Sequence, residues 1–204
     1  MNYSKIISYD ICNGPGWRVT LYVSGCSRKC PGCFNPQTHD PCFGREFTKD
    51  TVDRILYELS NDKISGLSLL GGDPMFPSNR KQVIDLCKIC KEKYPYKSIW
   101  MWTGYLMSEL IEDNTSNQIF RYVDTIIDGP FKQELKDPNL KWKGSSNQIV
   151  WKIFQSEKPS DYIDTYTIIP EYDKQLGSNN AIQCQFISYL KQDPQYVRLD
   201  FKAI

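Results

Sequence analysis

The chain has 204 residues, of which 40% are hydrophobic and 13% aromatic, enough to bury the core of one domain of ordinary size. Its 25 lysines and arginines against 24 aspartates and glutamates give a net charge of +1, which excludes a polybasic nucleic-acid coat and a charge-driven disordered chain. Neither a run of 18 apolar residues nor a cationic, apolar leader is visible. We therefore expect a cytoplasmic protein that binds neither nucleic acid nor membranes.

The first two thirds of the chain alternate between strand and helix patterns. Residues 17–24 alternate in polarity and predict a strand, which a cysteine-rich loop over 25–44 follows. Thr48 is typical of a helix N-cap, and apolar residues at i, i+3, i+4 and i+7 predict a helix that ends at Leu59. Later patterns predict strands over 66–70, 98–102 and 123–127, and helices over 79–93 and 106–111.

This alternation predicts an α/β fold with a parallel sheet and right-handed crossovers. Glycine or polar turns follow the predicted strands, at 25–26, 71–73, 103–104 and 128–129. In parallel sheets ligands bind at the carboxyl ends of the strands. We therefore expect these four turns to meet at one edge and to form the functional site.

The composition changes at about residue 155. The last fifty residues are rich in tyrosine, glutamine and aspartate and are interrupted by prolines, yet they keep apolar residues that need burial. We expect residues 1–154 to form the catalytic domain and residues 155–204 to form a small β-rich or mixed C-terminal extension of unassigned role.

Eight cysteines are many for a protein of a reducing compartment, and three of them form a C-x3-C-x2-C motif at Cys26, Cys30 and Cys33. Three thiolates on one loop can bind an iron–sulfur cube and leave its fourth iron without a protein ligand. A structural zinc ion needs four ligands, for which His39 and Cys42 are the nearest additional candidates. The spacing favours the cluster, with zinc binding or simple packing as alternatives.

An iron atom with an open position suits a chelating cofactor such as S-adenosylmethionine, which offers an amino and a carboxylate group. The turn 71–74 (GGDP) fits this role, because glycines let the backbone approach a ligand and Pro74 fixes the turn. The Asp73 carboxylate is a candidate acceptor for the methionine ammonium. Taken alone this short motif predicts only a turn, but its place after a three-cysteine loop supports cofactor binding.

Several stretches carry a resemblance to a known family. Besides the cysteine loop and GGDP, they are NGPG at 13–16, WTGY at 102–105 and GSSNQ at 144–148. In this order and spacing the sequence resembles the radical S-adenosylmethionine superfamily and, within it, the activating proteins of anaerobic ribonucleoside-triphosphate reductase. The resemblance covers residues 1 to about 154. Arg28 and His39 depart from it, since the family often has His and Trp at these places.

The resemblance implies a partial (β/α) barrel of the radical S-adenosylmethionine type, with a 4Fe-4S cluster on Cys26, Cys30 and Cys33. It implies S-adenosylmethionine contacts at Gly32, Cys33, Phe34 and Gly72, and no catalytic residue beyond the cluster and cofactor ligands. The implied enzyme is an oxidoreductase of the kind that activates formate C-acetyltransferase. Here it would take a hydrogen atom from a glycine of the large reductase subunit, using an electron donor such as flavodoxin.

Three alternatives stay open at this point: an activase of another glycyl-radical enzyme, a radical enzyme for a small molecule, and a non-enzymatic iron–sulfur or zinc module. A second C-x2-C motif at Cys87 and Cys90 lies on the apolar side of a predicted helix, so we expect it to pack in the core. We expect ordinary thiols at Cys12, Cys42 and Cys184.

Overall fold

The structure, a computed structural model, describes residues 1–155, 163–170 and 185–190. Within these residues the strands are β1 (Asn2–Asp10), β2 (Trp17–Val23), β3 (Arg45–Glu46), β4 (Ile64–Gly71), β5 (Ser98–Trp102), β6 (Thr125–Asp128), β7 (Ile149–Gln155), β8 (Ile163–Pro170) and β9 (Gln185–Leu190). The helices are α1 (Lys49–Leu59), α2 (Arg80–Lys93) and α3 (Met107–Glu112), with short 3-10 helices at Pro36–His39, Ser116–Arg121 and Gln133–Leu135. Among the described helices, none has both the length and the apolar character needed to cross a membrane.

All nine described strands belong to one sheet, in the order β3-β1-β2-β4-β5-β6-β7-β8-β9. The four central strands β2, β4, β5 and β6 run parallel to one another. The strands on both sides of this centre pair antiparallel. The predicted α/β class is confirmed, whereas the expectation of a purely parallel sheet holds only for the centre.

The helices α1 and α2 form where their apolar periodicity places them. Thr48 caps α1 through reciprocal hydrogen bonds with Thr51, and the apolar residues Ile55 and Leu59 are buried. On α2 the five predicted core residues are all buried: Val83, Ile84, Leu86, Cys87 and Cys90. The second C-x2-C motif therefore packs in the core, as predicted.

The central strands have two chemically different faces. Alternate residues, such as Leu21 of β2 and Leu69 of β4, join the main apolar core together with α1 and α2. The intervening residues Arg18 and Ser68 are polar and buried, and Trp100 lies in a second, smaller apolar cluster. One face of the sheet thus provides the core, and the other is available to hold loops and a cavity.

The flanking strands β1 and β7 are absent from the predicted elements. Strand β1 has an irregular burial pattern and two register shifts against β2, so it lacks the alternation that marks a strand in the sequence. Strand β7 returns antiparallel to β6 after a long loop, with Ile149 opposite Asp128. The remaining differences are shifts of one or two residues at the ends of elements, apart from the short strand β3.

Strands β8 and β9 belong to the predicted C-terminal extension and continue the same sheet. Strand β8 pairs with β7, and its Ile168 is fully buried within the main core. The boundary predicted at residue 154 falls within β7. The division into a catalytic domain and an extension stays a prediction, and Cys184 lies outside the described residues.

Candidate functional site

A cavity of about 390 Å³ lies where the central parallel strands end. All four predicted strand-end turns contribute to its lining, so the expectation that they meet at one edge is confirmed. Its walls are formed by Asn13, Cys26, Arg28, Cys30, Gly32, Cys33, Phe34, Asn35, His39, Leu70, Gly71, Gly72, Trp102, Thr103, Gly104, Gly129, Phe131, Lys136, Gly144 and Gln148.

The cysteine loop forms one side of this cavity. Cys26, Cys30 and Cys33 all line it as half-buried free thiols. Burial raises the pKa of the Cys26 thiol, although backbone hydrogen bonds near it act in the opposite direction. Among the described residues, no three His, Cys, Asp or Glu side chains stand close enough to hold a single metal ion. The three thiols are thus separate groups around a shared space.

The four other described cysteines, Cys12, Cys42, Cys87 and Cys90, do not line the cavity. Cys12 and Cys42 are exposed and do not line the cavity. Burial raises the pKa of the Cys90 thiol to about 12 and that of Cys87 well above its ordinary value, so both stay protonated at neutral pH. A protonated, buried thiol is a poor metal ligand.

The start of the cysteine loop is held by backbone hydrogen bonds. The amide of Gly25 donates to the carbonyl of Thr38 at 2.8 Å, and the amide of Cys26 donates to the carbonyl of His39 at 3.3 Å. Gly25 adopts a φ of +100°, which only glycine takes without strain. Because these bonds involve main-chain atoms, the position of Cys26 depends on the loop geometry.

Gly72 lies against this part of the loop. A Cβ atom at position 72 would come within 2.6 Å of the Gly25 carbonyl oxygen and 2.7 Å of the Thr38 carbonyl oxygen. Both contacts are shorter than real Cβ atoms show. A side chain is therefore excluded here, and the strand-end turn lies directly against the cysteine loop. The predicted approach of a ligand to these glycines stays a prediction.

Asp73 is almost completely buried and is not one of the residues that line the cavity. Its Oδ1 accepts hydrogen bonds from the Met75 amide at 2.9 Å and the Thr103 hydroxyl at 2.8 Å. Its Oδ2 accepts one from the Gly104 amide at 2.9 Å. Burial raises the pKa of Asp73 to about 6, against the lowering effect of these bonds. The predicted cofactor contacts Gly32, Cys33, Phe34 and Gly72 do line the cavity.

Arg28 connects the cysteine loop to helix α3. Its guanidinium donates to the Glu109 carboxylate at 2.6 Å and lies over the ring of Tyr105, 4.4 Å from the centroid. The hydrogen bond to Arg28 lowers the pKa of Glu109, and the same bond raises the pKa of Arg28. A Cβ atom on Gly104 would come within 2.7 Å of the Arg28 Cγ, so this side chain packs tightly against the WTGY turn.

Residues 129–148 contribute a further wall of the cavity. Gln148 donates to the Gly129 carbonyl at 2.9 Å and so joins the two ends of this segment, and Trp102 of β5 donates to the Trp142 carbonyl at 2.7 Å and so connects the segment to the sheet. Lys136 and Arg28 are the cationic side chains of the cavity lining. The GSSNQ motif contributes Gly144 and Gln148 to this wall.

Some residues that build the site are not among the predicted site residues. Asn79 is fully buried before α2, and its side-chain amide donates to the carbonyls of Ser24 at 2.8 Å and Asp73 at 3.0 Å. Glu109 and Lys136 likewise belong to no motif. Their roles depend on contacts between residues far apart in the chain, which a single sequence does not reveal.

Comparisons with known proteins show which family the chain belongs to. Residues 12–151 match a protein-family model described as a 4Fe-4S single cluster domain. Proteins named anaerobic ribonucleoside-triphosphate reductase-activating protein are similar to the chain: that of Vibrio cholerae is 43% identical over 152 residues, and that of Escherichia coli K12 is 44% identical over 152 residues. Each of these alignments covers 74% of this chain and 97% of the relative. The protein of that name from Enterobacteria phage T4 is 44% identical over 151 residues, 74% of this chain and 94% of its own. No solved structure gave a significant match.

Proposed function

We propose that this protein generates a glycyl radical on anaerobic ribonucleoside-triphosphate reductase, because it belongs to the family of the anaerobic ribonucleoside-triphosphate reductase-activating proteins. Its matched family domain is one that binds a single 4Fe-4S cluster. Membership of this family supports S-adenosylmethionine as the second cofactor. The observation that carries the proposal is that the three motif cysteines and the strand-end glycines line one cavity.

The chemistry of the donor set suits the cluster. When bound and reduced, the cluster supplies the electron that cleaves a sulfonium–carbon bond of S-adenosylmethionine to give methionine and a 5′-deoxyadenosyl radical, which can remove a hydrogen atom from a glycine Cα. Three thiols around one cavity can each ligate a different iron. The thiolate of Cys26, which burial disfavours, is stabilised when it ligates a cation.

We assign the iron ligands to Cys26, Cys30 and Cys33, and cofactor contacts to Gly32, Phe34 and Gly72. Gly32 supports this assignment, because it lines the cavity with a φ of +70°, a conformation that favours glycine. Backbone without a side chain is what close approach to a ligand requires. Phe34 is 92% exposed at the cavity rim, where it can contact cofactor that enters from solvent.

The partner of the family is the reductase, and we propose that its large subunit supplies the glycine. The cysteine loop and the exposed rim at Phe34 face solvent, which leaves room for a macromolecular substrate. An electron donor such as flavodoxin would reduce the cluster. Since this chemistry needs thiolates and a strong reductant, we place the protein in the cytoplasm.

We also propose that the sheet is the partial (β/α) barrel of the radical S-adenosylmethionine type. The support is the run of four parallel central strands with the cavity at their carboxyl ends. A polar face that carries Arg18 and Ser68 opposite the helix-covered face is the arrangement expected of a barrel interior that holds a ligand.

The decisive experiment is anaerobic reconstitution with iron and sulfide, followed by reduction in the presence of S-adenosylmethionine. We expect 5′-deoxyadenosine, and a glycyl-radical signal in electron paramagnetic resonance only after the reductase is added. Cleavage of the cofactor without that signal would favour another target. A stable cluster without cleavage would favour a non-enzymatic iron–sulfur protein.

Matched cysteine variants test the ligand assignment. Cys26→Ala, Cys30→Ala and Cys33→Ala should each lose the cluster and the cleavage, since only two protein ligands remain. Cys42→Ala is the control, because Cys42 is an exposed cysteine of the same loop region that does not line the cavity. Wild-type cleavage by the Cys26→Ala protein would refute the assignment.

A further inference from the structure

The contacts of Asp73 connect three loops that meet at the cavity. Its carboxylate accepts from Thr103 and Gly104 of the WTGY turn, and its own amide donates to the Gly25 carbonyl at 2.8 Å. Its carbonyl accepts from the Asn79 side chain, which also donates to the carbonyl of Ser24. One residue thus joins the ends of β2, β4 and β5.

These contacts leave the carboxylate little capacity for a ligand. Three donors already reach its two oxygens, and the residue is 1% exposed behind the cavity lining. All three partners donate an N–H or O–H hydrogen, so both side-chain atoms that they reach, Oδ1 and Oδ2 of Asp73, must act as acceptors. An ionised aspartate meets that requirement, whereas asparagine would set an NH₂ group against a donor.

The WTGY turn in turn contacts the cysteine loop. A Cβ atom on Gly104 would lie 2.7 Å from the Arg28 Cγ and 3.3 Å from the Asp73 Oδ2, so the glycine is enclosed between the two side chains. A displacement of this turn must therefore displace Arg28, which lies between two of the assigned iron ligands in the sequence. The carboxylate is connected to the cysteine loop by packing as well as by the Gly25 bond.

From this geometry we infer that Asp73 is a positioning residue, which joins the WTGY turn to the cysteine loop from behind the cavity and does not itself contact the cofactor. This inference rests on the proposed function and changes one part of the site expected from the sequence, in which the Asp73 carboxylate binds the methionine ammonium. If Asp73 bound the ammonium, cofactor binding would depend on its carboxylate alone. As a positioning residue it also depends on Asn79, which holds the Asp73 carbonyl and does not line the cavity.

The test compares Asp73→Asn, Asn79→Ala and Asp124→Asn. Asp124 is the matched control, since its half-buried carboxylate also accepts from a main-chain amide, that of Ile99 at 2.6 Å, but it precedes β6 and does not line the cavity. The affinity for S-adenosylmethionine is measured on the reconstituted protein by titrating the change that the cofactor causes in the electron paramagnetic resonance spectrum of the reduced cluster. Iron content and melting temperature are recorded for each variant.

We expect the dissociation constant to rise about tenfold or more in Asp73→Asn and in Asn79→Ala, with iron content retained, because each change leaves buried polar groups beside the cavity without their partners. It should stay within about twofold in Asp124→Asn. If Asp73 binds the ammonium directly, Asp73→Asn weakens binding while Asn79→Ala does not. That result would overturn the inference. Equal weakening in Asp124→Asn would overturn it as well, because the effect would then be general destabilisation.

Two further measurements test the inference if Asp73→Asn or Asn79→Ala fails to fold, or if the protein binds a cofactor other than S-adenosylmethionine. Thr103→Val removes one donor to Asp73 and should weaken binding, and Thr103→Ser should restore it because the hydroxyl is kept. Hydrogen exchange on the cluster-free protein needs no cofactor. The Gly104 amide should exchange at least tenfold faster in Asp73→Asn than in the wild type, and an unchanged rate would refute the inference even if the proposed function failed.

Discussion

The close contact between the GGDP turn and the cysteine loop gives a sharp prediction at Gly72. In Gly72→Ala the new methyl group would start 2.6 Å from the Gly25 carbonyl oxygen and 2.7 Å from that of Thr38. Its φ is not in the left-handed region, so the substitution changes the available space and leaves the backbone unstrained. Both neighbours are main-chain atoms that cannot rotate away, and the closer one must move by about 0.4 Å only to reach 3.0 Å, the shortest distance that real Cβ atoms show.

Overpacking of this kind typically costs about 1–3 kcal/mol, and we expect the free energy of unfolding of Gly72→Ala to fall by that amount. Because Gly25 precedes Cys26, the shift should also lower the iron content after reconstitution. Urea unfolding of the cluster-free protein measures the first effect, and iron analysis measures the second.

Gly144→Ala is the control for this experiment. Gly144 also lines the cavity and has no left-handed φ, but its Cβ atom would meet the Phe131 ring at 3.1 Å and the Gln148 Oε1 at 3.5 Å, both of which belong to side chains that can adjust. We expect a change within about 0.5 kcal/mol and normal iron content. If Gly72→Ala and Gly144→Ala behaved alike in both measurements, the proposed contact between turn and loop would be wrong.

Three further predictions test the core, the buried carboxylate and the C-terminal strands. The double variant Cys87→Ser and Cys90→Ser should keep its iron content while losing about 1–3 kcal/mol in urea unfolding, because each buried hydroxyl replaces a thiol in an apolar core; iron loss would reveal a second metal site. Since the folded-state pKa of Asp73 is about 6 against 3.8 for the ordinary group, the folded protein binds more protons between these values. Its free energy of unfolding should therefore fall by about 3 kcal/mol as the pH rises from about 3 to well above 6, and Asp73→Asn should lack this slope in denaturation at successive pH values. Ile168→Ala should lower the free energy of unfolding by about 2–5 kcal/mol in the same assay if β8 is part of the core. The control Ile89→Ala, at a partly exposed position, should lower it far less. Equal small effects of the two variants would show that β8 does not belong to the core of the catalytic domain.

Helices and central strands are predictable here because their signals are local. The 3.6-residue period of α1 and α2 and the alternation of β2 place one face of each element in the core. The glycine turns after the strands are likewise local, so the sequence also predicts which edge carries the site. The cysteine spacing adds the chemistry, because it is specific to one kind of ligand set.

The flanking strands and the hydrogen bonds that hold the site in place cannot be predicted from local sequence patterns. Strand β1 lies beside an edge and mixes exposed and buried residues, so its side chains show no regular period. The partners of Asp73 lie up to about fifty residues along the chain, and those of Arg28 about eighty. No pattern in the sequence connects Arg28 with Glu109, and the place of GGDP after the cysteine loop suggests a carboxylate that faces the ligand.

The polar face of the sheet explains how an early turn comes to line the same cavity as the cysteine loop. Arg18 is fully buried, yet its guanidinium donates to the side chain of Ser68 at 2.6 Å and to the carbonyl of Pro15 at 3.3 Å in the NGPG turn. Burial lowers the pKa of Arg18 to about 10, so the side chain is still charged at neutral pH and needs these acceptors. Ser68 in turn donates to the carbonyl of Asn13, and Asn13 lines the cavity. A buried cation that requires carbonyl partners thus folds the NGPG turn over the sheet, which makes a motif that predicts only a turn in isolation part of the cavity lining.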